Sequence, residues 1–299
     1  MASEFFFPDL ISPRRVIGRQ AFDFSRRVAV MAIINRTPDS FHDRGRTYSL
    51  PKAVDAVERA IAEEADWLDI GAVPFSPDVP QVSERAELDR LLPVIEAARA
   101  RTDAVISAET YRVEVARQAL AAGADVINNV TGLHDAALAD VIAEAGAGLI
   151  ITHSLAAPRT RLPRPQYQDV TAEVAAFLRG QADLAISRGV PADRIIIDPG
   201  HDLNKNTFHS LELTRRLPEI TCIGYPVLVA VSNKDFIGEM VDRPQDDRVE
   251  GTIATLAICI ARGARLVRVH DVRQVVSAVR MVEGILGWRS PRNPRHNLG

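Results

Sequence analysis

The chain has 299 residues, of which 46% are hydrophobic and 25% charged, and its formal net charge is −3. Such a balance is that of an ordinary globular protein, and it gives no whole-chain reason for a nucleic acid or an anionic membrane surface as partner. No uncharged apolar run approaches the ~20 residues of a membrane span, and the start MASEFFFPDL lacks the basic and apolar regions of a signal peptide. A cytoplasmic protein is expected. Cys222 and Cys259 stand alone, without a Cys-x-x-Cys pair, and are expected as buried, reduced core residues.

Hydrophobic periodicity then switches repeatedly between strand and helix along the chain. An apolar, β-branched run over 28–34 predicts a strand, and 49–65 predicts a helix with Ser49 at its N-cap and Pro51 in its first turn. The next strand falls at 67–73 and the next helix at 82–101, with Ser83 at its start. Third and fourth pairs follow at 104–110 with 112–123, and 125–132 with 136–146. Fifth and sixth pairs lie at 148–154 with 169–189, and 194–200 with 207–217. The last two are 225–233 with 248–264, and 265–272 with 273–288.

Strands that are apolar at consecutive positions, alternating with amphipathic helices, indicate a parallel sheet covered by helices. Eight units over 27–288 fit an α/β fold of the single (β/α)8 TIM-barrel type better than an open doubly wound sheet. No Gly-x-Gly-x-x-Gly follows the first strand. Gly123, Gly146, Gly189 and Gly263 end helices where a left-handed residue is wanted. Residues 1–26 are expected as an N-terminal extension, with a hairpin near 15–24 closing the bottom of the barrel, and 289–299 as a loose tail.

A barrel carries its site at the C-terminal ends of its strands. Those ends hold Asn35, Asp69, Glu109, Asn128, His153, Asp198, the run Ser232–Asn233–Lys234, and Arg268 with His270. Any one of them can be a packed residue bonded to a neighbouring strand. As a ring they point to a ligand, because each polar group costs free energy unless paired. Asp198, Glu109 and Asn128 are acceptors suited to the donor edge of a heterocycle such as an aminopyrimidinone. Arg268, His270 and Asn35 suit an anion or a metal-phosphate group, since a carboxamide oxygen matches the hard-oxygen preference of Mg2+. Lys234 can bridge the two halves, or form an ordinary salt bridge.

At these residues a family resemblance becomes specific. NRTPDSFHDRG at 35–45, IIIDPGHDLNKN at 195–206, SNKDFIGE at 232–239 and RVHDV at 268–272 resemble, in order and at suitable spacing, the signatures of dihydropteroate synthases. The similarity covers roughly residues 27–288. It implies that a pterin-methyl pyrophosphate is held by Asp198, Asn128, Glu109 and Lys234. It also implies that Mg2+ is ligated by Asn35, that the pyrophosphate is held by Arg268 and His270, and that the protein is a homodimer through its last helices. Lys234, Arg268 and His270 would serve the chemistry: cations stabilise the leaving pyrophosphate, and an aniline nitrogen captures the pterin methylene cation. Ile253, Leu256 and Ile260 share one helix face, which either forms the dimer contact or packs on the barrel.

The chain also departs from the family pattern. Where the family carries Gly-Gly-Glu-Ser-Thr-Arg-Pro-Gly, this chain reads GAVPFSPD at 71–78, so Pro74, Phe75 and Ser76 replace the Ser, Thr and Arg. Loss of that guanidinium removes a charge-assisted contact of roughly 1.5–3 kcal/mol. Glu109 stands for an Asp, Asn129 for an Asp, Asn233 for an Arg, His201–Asp202 for the usual residues, and Arg36 for an apolar one. The pattern is similar to that of the divergent second-copy branch of the family. Two readings follow, an enzyme of the dihydropteroate synthase type with impaired or altered turnover, and a catalytically silent paralogue that binds a ligand or a protein. A corrinoid-linked, pterin-dependent methyltransferase would not explain NRTPDSF.

Overall fold

The computed structural model describes residues 5–36, 49–74, 80–158, 160 and 162–296. Eight of its strands are β3 (Ala29–Asn35), β4 (Trp67–Gly71), β5 (Val105–Glu109), β6 (Val126–Asn129), β7 (Gly148–Thr152), β8 (Ile195–Asp198), β9 (Val227–Val229) and β10 (Ala264–Val269). They pair in parallel and in chain order, and β10 returns to β3, so the sheet is a closed barrel. The eight-unit expectation is therefore met.

Helices α1 (Leu50–Ala62), α2 (Glu84–Arg99), α3 (Val113–Ala121), α4 (Ala137–Ala145) and α5 (Val170–Ser187) follow the first five barrel strands in turn. Pro51 sits in the first turn of α1, and Ser83 Oγ caps α2 by accepting from the Ala86 N–H. Ser49 occupies the N-cap of α1 but makes no side-chain cap bond. After β8 the expected single helix is two, α6 (Thr207–Arg215) and α7 (Leu217–Thr221), because Pro218 opens a new first turn. Short α8 (Asp235–Val241) precedes α9 (Val249–Ala261), and α10 (Val272–Ile285) closes the series. The four helix-ending glycines all have positive φ.

Strand alternation sorts side chains into two cores. Outward-facing residues such as Ile70, Ile106, Ile127 and Val267 pack under the helices. Inward-facing Met31, Trp67, Val105, Val126, Ile150, Ile196, Leu228 and Leu266 fill the lower barrel. Ahead of the barrel, β1 (Arg14–Ile17) and β2 (Gln20–Asp23) pair antiparallel. Ile17, Phe22 and Phe24 pack against that lower layer, as the hairpin expectation required. Buried Arg15 fastens the segment by donating to the carbonyls of Ile195, Ile11 and Ser12.

Three further expectations are resolved. Leu256 and Ile260 are buried and Ile253 is packed against the barrel core, so that face is an interior one. Cys259 is buried, but Cys222 is exposed just past α7, since the turn that ends this five-residue helix lies at the surface. Among the described tail residues, Arg289 pairs with Glu283 at 2.6 Å and Arg292 with Glu64 at 3.2 Å. No helix among the described residues is long and apolar enough to cross a membrane.

Candidate functional site

Above the lower apolar layer the inward positions turn polar. Two residues beyond Trp67 on β4 comes Asp69, and two beyond Leu266 on β10 comes Arg268. Asp69 is wholly buried and accepts three bonds: from Ser107 Oγ at 2.6 Å, Asn128 Nδ2 at 3.0 Å and Arg268 Nε at 2.6 Å. Those partners satisfy a carboxylate that would otherwise be prohibitively costly inside a barrel. Arg268 donates a second bond, Nη2 to Glu109 Oε2, at 2.5 Å. Burial opposes the charge of Arg268, but Asp69 and Glu109 outweigh it and raise its pKa further above the ordinary range. Glu109 is pushed up to about 7, chiefly by burial, with Arg268 pulling the other way.

Asn128 is oriented by its donor. Its amide nitrogen must face the Asp69 carboxylate, because the flipped amide would set oxygen against oxygen. Its Oδ1 is then buried with no partner, as is Thr152 Oγ1 on β7. Asp198, at the end of β8, is buried and accepts from the Gly200 N–H at 2.7 Å through Oδ1. Burial raises the Asp198 pKa, and the neighbouring Lys234 charge lowers it. Burial in turn lowers the pKa of Lys234, whose ammonium donates to the His201 carbonyl.

Gly200 has φ +66, and a Cβ there would stand 2.3 Å from the His153 carbonyl oxygen. Only glycine permits that turn. Gly71 ends β4 beneath the mouth, where a Cβ would lie 3.1 Å from Asn35 Oδ1 and 3.7 Å from the Glu109 side chain. Asn35, Gly71 and Glu109 are register partners on β3, β4 and β5, so the carboxamide oxygen and the carboxylate border the same opening. The Asn35 carboxamide oxygen is a hard donor that fits a Mg2+ ion arriving with a phosphate and keeping most of its waters. A resident cage is not built here: among the described residues no group of three or more His, Cys, Asp and Glu could hold a metal ion.

The sequence expectations thus meet at the barrel mouth. Asn128 and Arg268 donate to the same Asp69 Oδ2, Arg268 also reaches Glu109, and Lys234 and Asp198 act on each other's charge; His270 follows β10, its N–H donating to Ser232 Oγ at 3.2 Å. Glu109, the register partner of Asn128 on the adjacent strand, accepts from Arg268. Asn233, in the left-handed region at φ 56, is buried and donates to Asp271 at 3.0 Å. Arg36 donates to the Arg90 carbonyl at 2.8 Å and so lies along α2. Phe75, Ser76 and most of the first signature, 37–45, fall outside the described residues.

Sequence reasoning missed Lys205, which is buried and donates to His153 Nδ1 at 2.8 Å and to the Gly200 and Leu203 carbonyls. Burial brings its pKa down to about 7. Burial, then the Lys205 charge, holds the His153 pKa down at about 2, so that imidazole is a neutral acceptor. The available signal was position, since Lys205 lies within IIIDPGHDLNKN, the 195–206 run that resembles a family signature. His201, which departs from that signature, is wholly buried against Phe236 and pushed down to about 3 by burial.

The pterin binding enzyme family model matches residues 31–270. The chain belongs to that family. "Inactive dihydropteroate synthase 2" of Mycobacterium tuberculosis is 45% identical over 271 residues, covering 89% of this chain and 85% of the relative. A dihydropteroate synthase of Synechocystis is 39% identical over 283 residues, covering 94% and 97%. Among solved structures, the Yersinia pestis dihydropteroate synthase in a sulfonamide drug complex superposes with a TM-score of 0.87 at 31% identity, covering 92% of this chain and 99% of that one. As a member of the pterin-binding enzymes the chain is a dihydropteroate synthase homologue, and its similarity extends both to active-type synthases and to the inactive second-copy branch.

Proposed function

We propose that the barrel mouth binds a pterin-methyl pyrophosphate and that condensation with p-aminobenzoate is slow or absent. Asn128, Asp198 and Lys234 take the heterocycle, Arg268 and His270 face the pyrophosphate, and Glu109 borders both. One observation carries this reading: the Asn128 Oδ1 is an orphaned acceptor, fixed in direction by its own amide and set in a ring with the buried Asp198 carboxylate. An unpaired buried acceptor costs about 1–3 kcal/mol, which the N–H edge of a bound aminopyrimidinone would recover.

Asn35 would hold the Mg2+ that accompanies the pyrophosphate; the ion would supply charge neutralisation there. The Lys234 ammonium donates to the His201 carbonyl and lies within range of the Asp202 and Asp198 charges. Slow turnover is supported by Pro74, Phe75 and Ser76 standing where the family has Ser, Thr and Arg, and by the inactive name of the mycobacterial relative. A homodimer is supported by exposed Ile258 on α9 with Met281 and Ile285 on α10. The two free cysteines suit a reducing, cytoplasmic setting.

Calorimetric titration of a pterin-methyl pyrophosphate with Mg2+, followed by p-aminobenzoate in the same cell, tests this reading. Binding without pteroate formation is the expected result. Rapid pteroate formation would overturn the slow-turnover half, and absence of binding would overturn the whole.

A further inference from the structure

The Glu109–Arg268 contact reaches across the barrel mouth. In the closed sheet, β10 and β5 are separated by β3 and β4. Glu109 nevertheless brings Oε2 to 2.5 Å from Arg268 Nη2, over Gly71, which has no side chain to intervene. On its other edge the same guanidinium is held by Asp69 at 2.6 Å. Two carboxylates therefore face one arginine where an anion would sit, and the formal charges of the three groups together sum to −1. The Lys234 ammonium donates to the His201 carbonyl.

We infer that Glu109 serves as a built-in anion for Arg268, so that the pyrophosphate adds little to ligand affinity and the site takes a pterin-class heterocycle with or without its phosphates. This rests on the pterin-binding reading above and names which part of the ligand the chain selects. Length is what makes the contact. An aspartate, the residue of the family pattern here, would withdraw the carboxylate by about 1.5 Å, one carbon–carbon bond, and put it beyond hydrogen-bond range of the guanidinium. Arg268 would then have a free N–H edge for a phosphate oxygen.

The test compares the wild-type chain with Glu109→Asp, which shortens the side chain, and Glu109→Gln, which keeps its length and removes its charge. Each is titrated calorimetrically, in Mg2+, with the pterin-methyl alcohol and with its pyrophosphate ester. In the wild type the two ligands should bind within about tenfold of each other; the preference for the ester over the alcohol should rise by about tenfold in Glu109→Asp, the gain of one charge-assisted bond, and by less in Glu109→Gln, whose amide oxygen still accepts from Arg268. If the alcohol binds all three proteins but Glu109→Asp does not raise that preference, or the wild type already favours the ester by more than about tenfold, the inference falls and the pterin reading stands. If the variants lose the alcohol, Glu109 belongs to the heterocycle side and the inference falls. If no protein binds the alcohol, the pterin reading fails and takes the inference with it.

Discussion

Asp69 on β4 and Arg268 on β10 meet inside the barrel at 2.6 Å, although 199 residues separate them in the chain. Ser107 and Asn128 complete the carboxylate's shell, so Asp69 connects four barrel strands at one point. Replacing one partner of a buried pair leaves the other charge stranded and costs about 3–5 kcal/mol. Glu109 would still face Arg268, so Asp69→Asn should lose about 3 kcal/mol in urea unfolding. A loss below about 1 kcal/mol would show that the carboxylate is not needed to hold the barrel closed at this layer.

Gly200→Ala tests the turn that presents Asp198. The new methyl group would meet the His153 carbonyl oxygen at 2.3 Å, and φ is +66. Both faults are backbone faults, which no rotamer relieves. Stability should fall by about 3 kcal/mol or more. Because the Gly200 N–H also fixes the Asp198 carboxylate, pterin binding should weaken in whatever fraction remains folded, as read by calorimetry.

Lys205 makes stability depend on pH in the mildly alkaline range. Its folded pKa is about 7, while the unfolded chain keeps it near the ordinary lysine value of 10.5. Between these values the unfolded state binds the extra proton, so stability rises with pH across this window, at a slope approaching about 1.4 kcal/mol per pH unit for one group. Buried Lys234 is shifted in the same direction. Thermal unfolding from pH 7.5 to 9 should show an upward trend, and Lys205→Met should flatten it. An equal trend in that variant would assign the pH dependence elsewhere.

If turnover is slow, as proposed, the second-strand loop is its simplest cause. Restoring the family pattern with Pro74→Ser, Phe75→Thr and Ser76→Arg together should raise pteroate formation by at least about tenfold, the value of one charge-assisted contact to the leaving group. Product formation measured by chromatography decides it. Unchanged turnover would move the cause to the mouth itself, where Glu109 already occupies Arg268.

Much of this was legible in the residues. β-branched runs over the first, fifth and sixth units fell on β3, β7 and β8, and Ser83 fell on a working N-cap. Asp198, Asn128, Lys234 and Arg268 all came to the mouth because a parallel barrel delivers every strand end to one face. What sequence reading lost was direction. Glu109, read as a ligand acceptor, also pairs with Arg268, and Arg36, read only as a new charge, lies along α2. Lys205 lies inside the 195–206 signature, but its burial depends on the packing of the loop and was not legible there.

Period, strand order and the sequence of signatures were set by the chain alone, since each depends on residues a few positions apart and on the two repeat lengths of helix and strand. The altered loop at 71–78 was equally visible without any structure. Only closure of the barrel decided which charges meet: Glu109 reaches Arg268 across 159 residues, and His201 becomes a wholly buried neutral imidazole. Those outcomes depend on side-chain reach and desolvation in a shared interior, and neither quantity is a property of any local stretch of sequence.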